Sequence, residues 1–186
     1  MKKLFFDTEF TGLRKSTTLI SIAVIGEEVG QSFYAELTDY DVAQVDPWIQ
    51  ENVIDNLKLS DFPENFPLSS LKTTMIKGTK EHIKEAFCLW LADNFGDEQI
   101  EMWSDCLAYD WVLFVDLFGD AFDLPKQIYY IPFDICPLFK ESGIDPDVNR
   151  ELFCDIDEGM AGTKHNAYWD ALVIKECYLK LQGYLS

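Results

Sequence analysis

The chain has 186 residues with 33 Asp and Glu against 15 Lys and Arg, a formal charge of −18, and is 48% hydrophobic and 15% aromatic. That length suits a single domain over residues 1–186 and would cramp two; the apolar content excludes a disordered chain, which needs low hydrophobicity as well as high charge. No run approaches the roughly 18 apolar residues of a membrane span, and so acidic a surface repels a phosphate chain, so charge alone argues against a nucleic-acid partner.

Asp7 and Glu9 cut short the apolar stretch after Lys2-Lys3, so no secretory signal is expected. Lys3-Leu4-Phe5-Phe6-Asp7 reads as a buried strand, Leu19 to Ile25 as a second bounded by Gly26 and Gly30, and Gln31 to Glu36 as a third. The short turn between the second and third predicts antiparallel pairing, so the chain opens as a three-stranded meander. Asp46 is placed to cap a helix that starts at Pro47 and runs to about Leu57. Pro63, Pro67 and Ser69-Ser70 predict a loop over about 60–77. Ile83, Ala86, Phe87, Trp90 and Leu91 recur at helical spacing between Thr79 and Phe95, and Gly96 ends that helix. A strand over Gln99 to Ser104, a helix over Ala108 to Phe118, short helices within about 125–158 and a last helix from about Asn166 to Leu181 complete the chain. The order predicts an α/β domain: a mixed sheet, antiparallel meander plus parallel strands, with helices on both faces. Cys88, Cys106, Cys136, Cys154 and Cys177 lie far apart with no C-x-x-C pair, which predicts buried free thiols in a reducing, cytoplasmic setting and no zinc site or disulfide framework.

Three short segments carry candidate chemistry. Asp7 and Glu9 sit two apart at a strand end and aim to one side. Such a pair repels unless a proton or cation lies between, and a hard divalent ion taking oxygen ligands resolves it; alone, the pattern is more often a solvated turn. Asp110 falls in the first turn of a helix, where the dipole favours an acid and capping explains it as well. His165 and Asp170 bracket the start of the last helix. If both were helical, five residues would separate them by about 140°, so His165 has to precede the helix to act beside Asp170. A surface histidine and a helix-face aspartate explain that segment equally well.

Taken together, Asp-x-Glu-x-Thr-Gly-Leu after the first strand, Tyr109-Asp110 opening a middle helix and His165-x4-Asp170 opening the last resemble the DEDDh group of 3′–5′ exonucleases, in the DnaQ-like branch of the ribonuclease H-like fold. The likeness runs from Phe5 to about Leu181 and is greatest to the small bacterial and phage exoribonuclease-like proteins, which share a Pro-Trp helix like that at Pro47-Trp48. The resemblance implies a five-stranded mixed sheet. It also implies two Mg²⁺ or Mn²⁺ ions on Asp7, Glu9, Asp110 and Asp170, and His165 as the general base. The tyrosine variant of the group would need Tyr where this chain has Asn166. In Phe10-Thr11-Gly12-Leu13 the match puts the backbone near Thr11 at the terminal 3′-hydroxyl and Leu13 on the last base. Asp105 stands where relatives often carry Asn, which puts that substrate contact in doubt. Trp48 and Trp169 are candidates for contacts near the site or at a subunit interface, whereas Trp90 and Trp111 belong on apolar helix faces.

The implied activity is removal of nucleotides from single-stranded or overhanging 3′ ends, with RNA favoured over DNA and a homodimer expected. A single-stranded DNA exonuclease or proofreading subunit, a ribonuclease H-like endonuclease and a non-catalytic acidic binding module are the alternatives. Two dications offset only four of the net 18 negative charges, so long duplex is a poor partner. Arg14, Lys15 and Lys164, with Lys72, Lys77, Lys80 and Lys84, are read as a local basic rim.

Overall fold

Successive side chains of the first strand, β1 (Lys2–Phe10), point to opposite faces of the sheet, and both faces are covered. Leu4 and Phe6 join a cluster with Phe87 and Trp90 of α2 (Lys80–Phe95) and Phe114 of α3 (Ala108–Asp116). Phe5 joins Val173, Ile174 and Cys177 of the last helix on the other side. With both faces buried, the neighbouring strand β2 (Leu19–Gly26) is apolar apart from Ser21, and its every residue is buried. The computed structural model describes residues 1–70, 72–156 and 164–185.

Among the described residues the sheet has seven strands where five were expected, in the order β4-β5-β3-β2-β1-β6-β7. The expected meander is present: β1 pairs antiparallel with β2, and β2 with β3 (Ser32–Leu37). The added strands come from regions read as loop or short helix. β5 (Thr73–Gly78) runs parallel to β3 with β4 (Leu68–Ser70) antiparallel at its outer side, so the loop predicted over 60–77 is partly sheet. The prolines at 63 and 67 do punctuate the chain, but the β-branched Thr73, Thr74 and Ile76 after them pair with the buried edge of β3. β6 (Ile100–Ser104) lies parallel to β1, and β7 (Phe133–Asp134), two residues long and too short to show any periodicity, lies parallel to β6. The remaining α-helices among the described residues are α1 (Pro47–Asn52), capped by the Asp46 side chain, α4 (Cys136–Glu141), α5 (Arg150–Phe153) and α6 (Ala167–Leu185). No helix among the described residues is long and apolar enough to cross a membrane.

One buried carboxylate organises the approach to the site. Glu36 in β3 is 2% exposed, and its Oε1 accepts hydrogen bonds from the Tyr34 hydroxyl at 2.7 Å and from the Lys58 and Leu59 N–H groups at 2.6 and 3.0 Å. Tyr34 is also hydrogen-bonded to Asn166, whose amide donates to the Asn56 carbonyl at 3.2 Å. This relay ties the start of α6 to the chain after α1. Glu36→Ala removes three hydrogen bonds at once and leaves buried donors unmet at a cost of about 1–3 kcal/mol per group. The variant is expected to lose at least about 2 kcal/mol in urea unfolding, and Glu36→Gln, which keeps an acceptor oxygen, less.

Candidate active site

β1 and β6 run side by side only as far as the Phe5–Trp103 pair; β6 ends at Ser104 while β1 continues along β2 to Phe10. The margin of β1 beyond Phe5 is therefore open on the β6 side. Asp110, in the first turn of α3, closes it: its Oδ1 accepts from the Thr8 N–H at 3.0 Å and the Thr8 hydroxyl at 2.6 Å. Strand pleat sends the flanking Asp7 and Glu9 to the α6 face, where Asp170 sits in the first turn of α6. Ligand oxygens of Asp7, Glu9 and Asp170 all lie within 4.8 Å of one another. His165 stands outside α6 with φ +63°, a left-handed conformation costly for a non-glycine residue, and the buried Asn166 that follows it anchors the turn.

Packing these acids together raises their proton affinity. Burial, reinforced by Asp110, Asp170 and Glu9, pushes the Asp7 carboxyl well above the ordinary range. Burial and the charges of Asp170 and Asp110 push Glu9 up to about 8. Burial lifts Asp170 to about 7, with Glu151 adding to it and backbone hydrogen bonds from His165 and Asn166 opposing it. Asp110 is held lower, at about 6, because the two Thr8 hydrogen bonds stabilise its charged form against burial. His165 shifts the other way: burial and the neighbouring Lys164 lower its pKa, so its neutral, proton-accepting form prevails at neutral pH.

Two clefts meet at His165. One, of about 490 Å³, is lined by Asp7, Asp105, Arg150, Lys164, His165 and Asp170 among others. The second, of about 430 Å³, is lined by Glu9, Phe10, Leu13, Trp48, Ile49 and His165 among others. Trp48 meets the His165 ring edge to face at 5.1 Å between centroids and is half exposed. Leu13 is 79% exposed, and Phe10 stacks on Tyr109 at 5.4 Å. Gly12 has φ +120°, and the Arg14 guanidinium comes within 2.9 Å of where a Cβ would stand. Thr11 is fully buried, its hydroxyl donating to Gln44 Oε1 at 2.9 Å and accepting from the Thr18 N–H at 2.9 Å, so its side chain shapes the loop. Asp105 forms a two-point ion pair with Arg150, at 2.7 and 2.9 Å; Arg150 and Glu36 belong to no motif and carry no signal in the sequence, and Asn166 is read there only as the residue that sets aside the tyrosine variant.

The basic rim is smaller than expected. Lys72 pairs with Glu28, Lys80 with Asp116 at 2.6 Å and Lys84 with Glu81 at 3.6 Å, while Lys77 donates to the Ser60 carbonyl. The first three are neutralised within the acidic body, and Lys77 is tied to a backbone oxygen. Arg14 and Lys15 line a third depression beside Tyr109, and Lys164 remains at the main cleft.

No family model matches the chain. Two curated relatives, both named 3′–5′ exoribonuclease and from two strains of Mycobacterium tuberculosis, CDC 1551 / Oshkosh and H37Rv, are each 27% identical over 141 residues, covering 76% of this chain and 76% of each relative. Among solved structures, the catalytic unit of Neurospora crassa Pan2, which comprises a protease and a nuclease domain, superposes with a TM-score of 0.51 at 14% identity. The match covers 99% of this chain and 27% of that one, and it identifies a shared fold.

The raised carboxyls set a pH dependence. Each binds a proton more tightly folded than unfolded, so its contribution to stability is complete below about pH 4 and is lost as pH rises through the folded value, about 8 for Glu9. His165, lowered on folding, opposes this only below its ordinary value of 6.5. In chelator, the urea midpoint is expected to fall between about pH 5 and pH 8. Asp7→Asn is expected to flatten that slope, and Mg²⁺ or Mn²⁺ to restore stability at the alkaline end.

Proposed function

We propose that the chain is a metal-dependent 3′–5′ exonuclease of the DEDDh type, a single domain over residues 1–186 with a ribonuclease H-like sheet. Its products are nucleoside 5′-monophosphates from single-stranded or overhanging 3′ ends, with RNA preferred. The observation that carries the reading is the convergence of Asp7, Glu9 and Asp170 within 4.8 Å, with Asp110 held against the intervening Thr8. The preference for RNA draws support from the relatives named 3′–5′ exoribonuclease. A homodimer follows from the resemblance of the motifs, and a cytoplasmic setting from the scattered cysteines.

The donor set fits hard divalent cations: side-chain oxygens only, crowded enough that their charges repel. Asp7, Glu9, Asp110 and Asp170 would hold Mg²⁺ or Mn²⁺, two of which would supply neutralisation of the phosphodiester, activation of water and stabilisation of the leaving oxygen. His165, kept neutral and positioned ahead of α6, takes a proton from the attacking water through an imidazole nitrogen. The bond to the penultimate 3′-oxygen breaks, and that oxygen leaves with a proton from solvent. The cleft of Phe10, Leu13, Trp48 and Ile49 receives the terminal base against apolar and aromatic surface. A grip confined to the last nucleotides explains how so acidic a chain handles an anion.

Asp7→Ala is expected to abolish release of mononucleotides from a 5′-labelled single-stranded RNA in Mg²⁺ or Mn²⁺. His165→Ala is expected to slow it by about 10²–10⁴-fold and to remove the rise in rate with pH that a neutral imidazole imposes. A matched DNA oligomer is expected to be cut more slowly, and an RNA with a blocked 3′ end not at all. Cutting despite the block would mean an endonuclease, and full activity of the Asp7 variant would end the assignment.

A further inference from the structure

The wall of the main cleft carries a second cluster of donors, chemically unlike the first. Cys106, in the turn between β6 and α3, and Cys136, at the start of α4, are 30 residues apart in sequence, yet their sulfurs lie 3.5 Å apart. Cys136 Sγ is 3.1 Å from Asp105 Oδ1, and donor atoms of all three residues lie within 4.8 Å of one another. A tetrahedral zinc ion with Zn–S about 2.3 Å and Zn–O about 2.0–2.2 Å needs sulfurs roughly 3.8 Å apart, so the observed spacing asks for a shift of a few tenths of an ångström. Cys106 is exposed and lines the cleft, which gives an ion a way in and a water a place as fourth ligand.

We propose that Cys106, Cys136 and Asp105 form a site for a thiophilic tetrahedral dication of the zinc class, separate from the all-oxygen cluster of Asp7, Glu9 and Asp170. The surrounding fold holds the donors in place. Asp134 accepts from the Cys136 N–H at 2.7 Å through one oxygen and from the Leu107 N–H at 3.1 Å through the other, fixing the two loops against each other. Arg150 orients Asp105 by its two-point ion pair and reaches Cys136 Sγ at 3.5 Å, the kind of outer partner that aligns metal ligands. Binding releases both thiol protons to solvent. Two thiolates and a carboxylate around a dication then leave one net negative charge, which Arg150 offsets. Sulfur donors select against Mg²⁺, so the two clusters would sort cations by softness. The other cysteine pair, Cys154 and Cys177 at 3.1 Å, gathers no third metal-ligating side chain among the described residues and serves as a control. The site stands on its own geometry, whether or not the cleft degrades RNA.

The test is Co²⁺ titration of the reduced full-length protein in excess Mg²⁺, followed by optical spectroscopy. The expected result is one equivalent giving thiolate-to-cobalt charge transfer and intense tetrahedral bands, displaced by Zn²⁺, lost in Cys106→Ser and in Cys136→Ser and kept in Cys154→Ser. A wild-type measurement that needs no variant is alkylation with iodoacetamide: Zn²⁺ is expected to protect Cys106 and Cys136 but not Cys88. Only the weak bands of oxygen-bound cobalt, thiolate bands that survive the double Cys106→Ser/Cys136→Ser substitution, or equal alkylation with and without Zn²⁺ would overturn the proposal.

Discussion

Repulsion among carboxylates that cannot move apart is the constraint on which the rest of the structure turns. Strand pleat commits Asp7 and Glu9 to one face of β1, and α6, packed through Val173, Ile174 and Cys177, carries Asp170 onto the same face. Asp110 is fixed by a different route, through both hydrogen-bonding groups of Thr8. None of these anchors belongs to the acids' own cluster, so the core opposes a repulsion that the site would otherwise relieve by opening. The protein has two remedies, protons or cations; burial first, with the neighbouring acids adding to it at Asp7 and Glu9 and with Glu151 at Asp170, raises the proton affinity of all three.

The histidine is held by equally remote means. A left-handed residue at the head of a helix is costly by itself, and what secures His165 is the burial of its neighbour Asn166 in contact with Tyr34 and the Asn56 carbonyl. Glu36 in turn secures Tyr34 and the segment after α1. The position of the imidazole thus depends on a carboxylate in β3 with no access to the cleft.

What was legible in the sequence was what has a period or a local rule. The meander, the helix beginning at Pro47 and the helix over residues 80–95 follow from apolar runs bounded by turn residues, from capping and from helical spacing. The need for His165 to precede α6 followed from helix geometry alone, and the residue stands there. β7 was not legible because two residues have no period, and β5 because its half-buried Lys77 and its threonines look polar until β3 lies beside them. Ion pairing was the least legible. Lys72 and Lys80 looked free in the chain, whereas their acidic partners Glu28 and Asp116 are supplied by the fold; Lys84 pairs within its own helix with Glu81. Arg150 was invisible for the same reason, since its meaning comes from Asp105, 45 residues away. The cysteines were expected to be buried throughout, but only Cys177 is; spacing along the chain says little about spacing in the sheet's end loops.

Both margins of the sheet are stubs. β4 contributes three residues and β7 two, at opposite ends of the strand order. A ladder that short offers an incoming backbone almost nothing to zip onto, and so the chain is shielded from the edge-to-edge growth that turns open sheets into fibrils. A second chain pairing by its backbone would have only these two short ladders to extend.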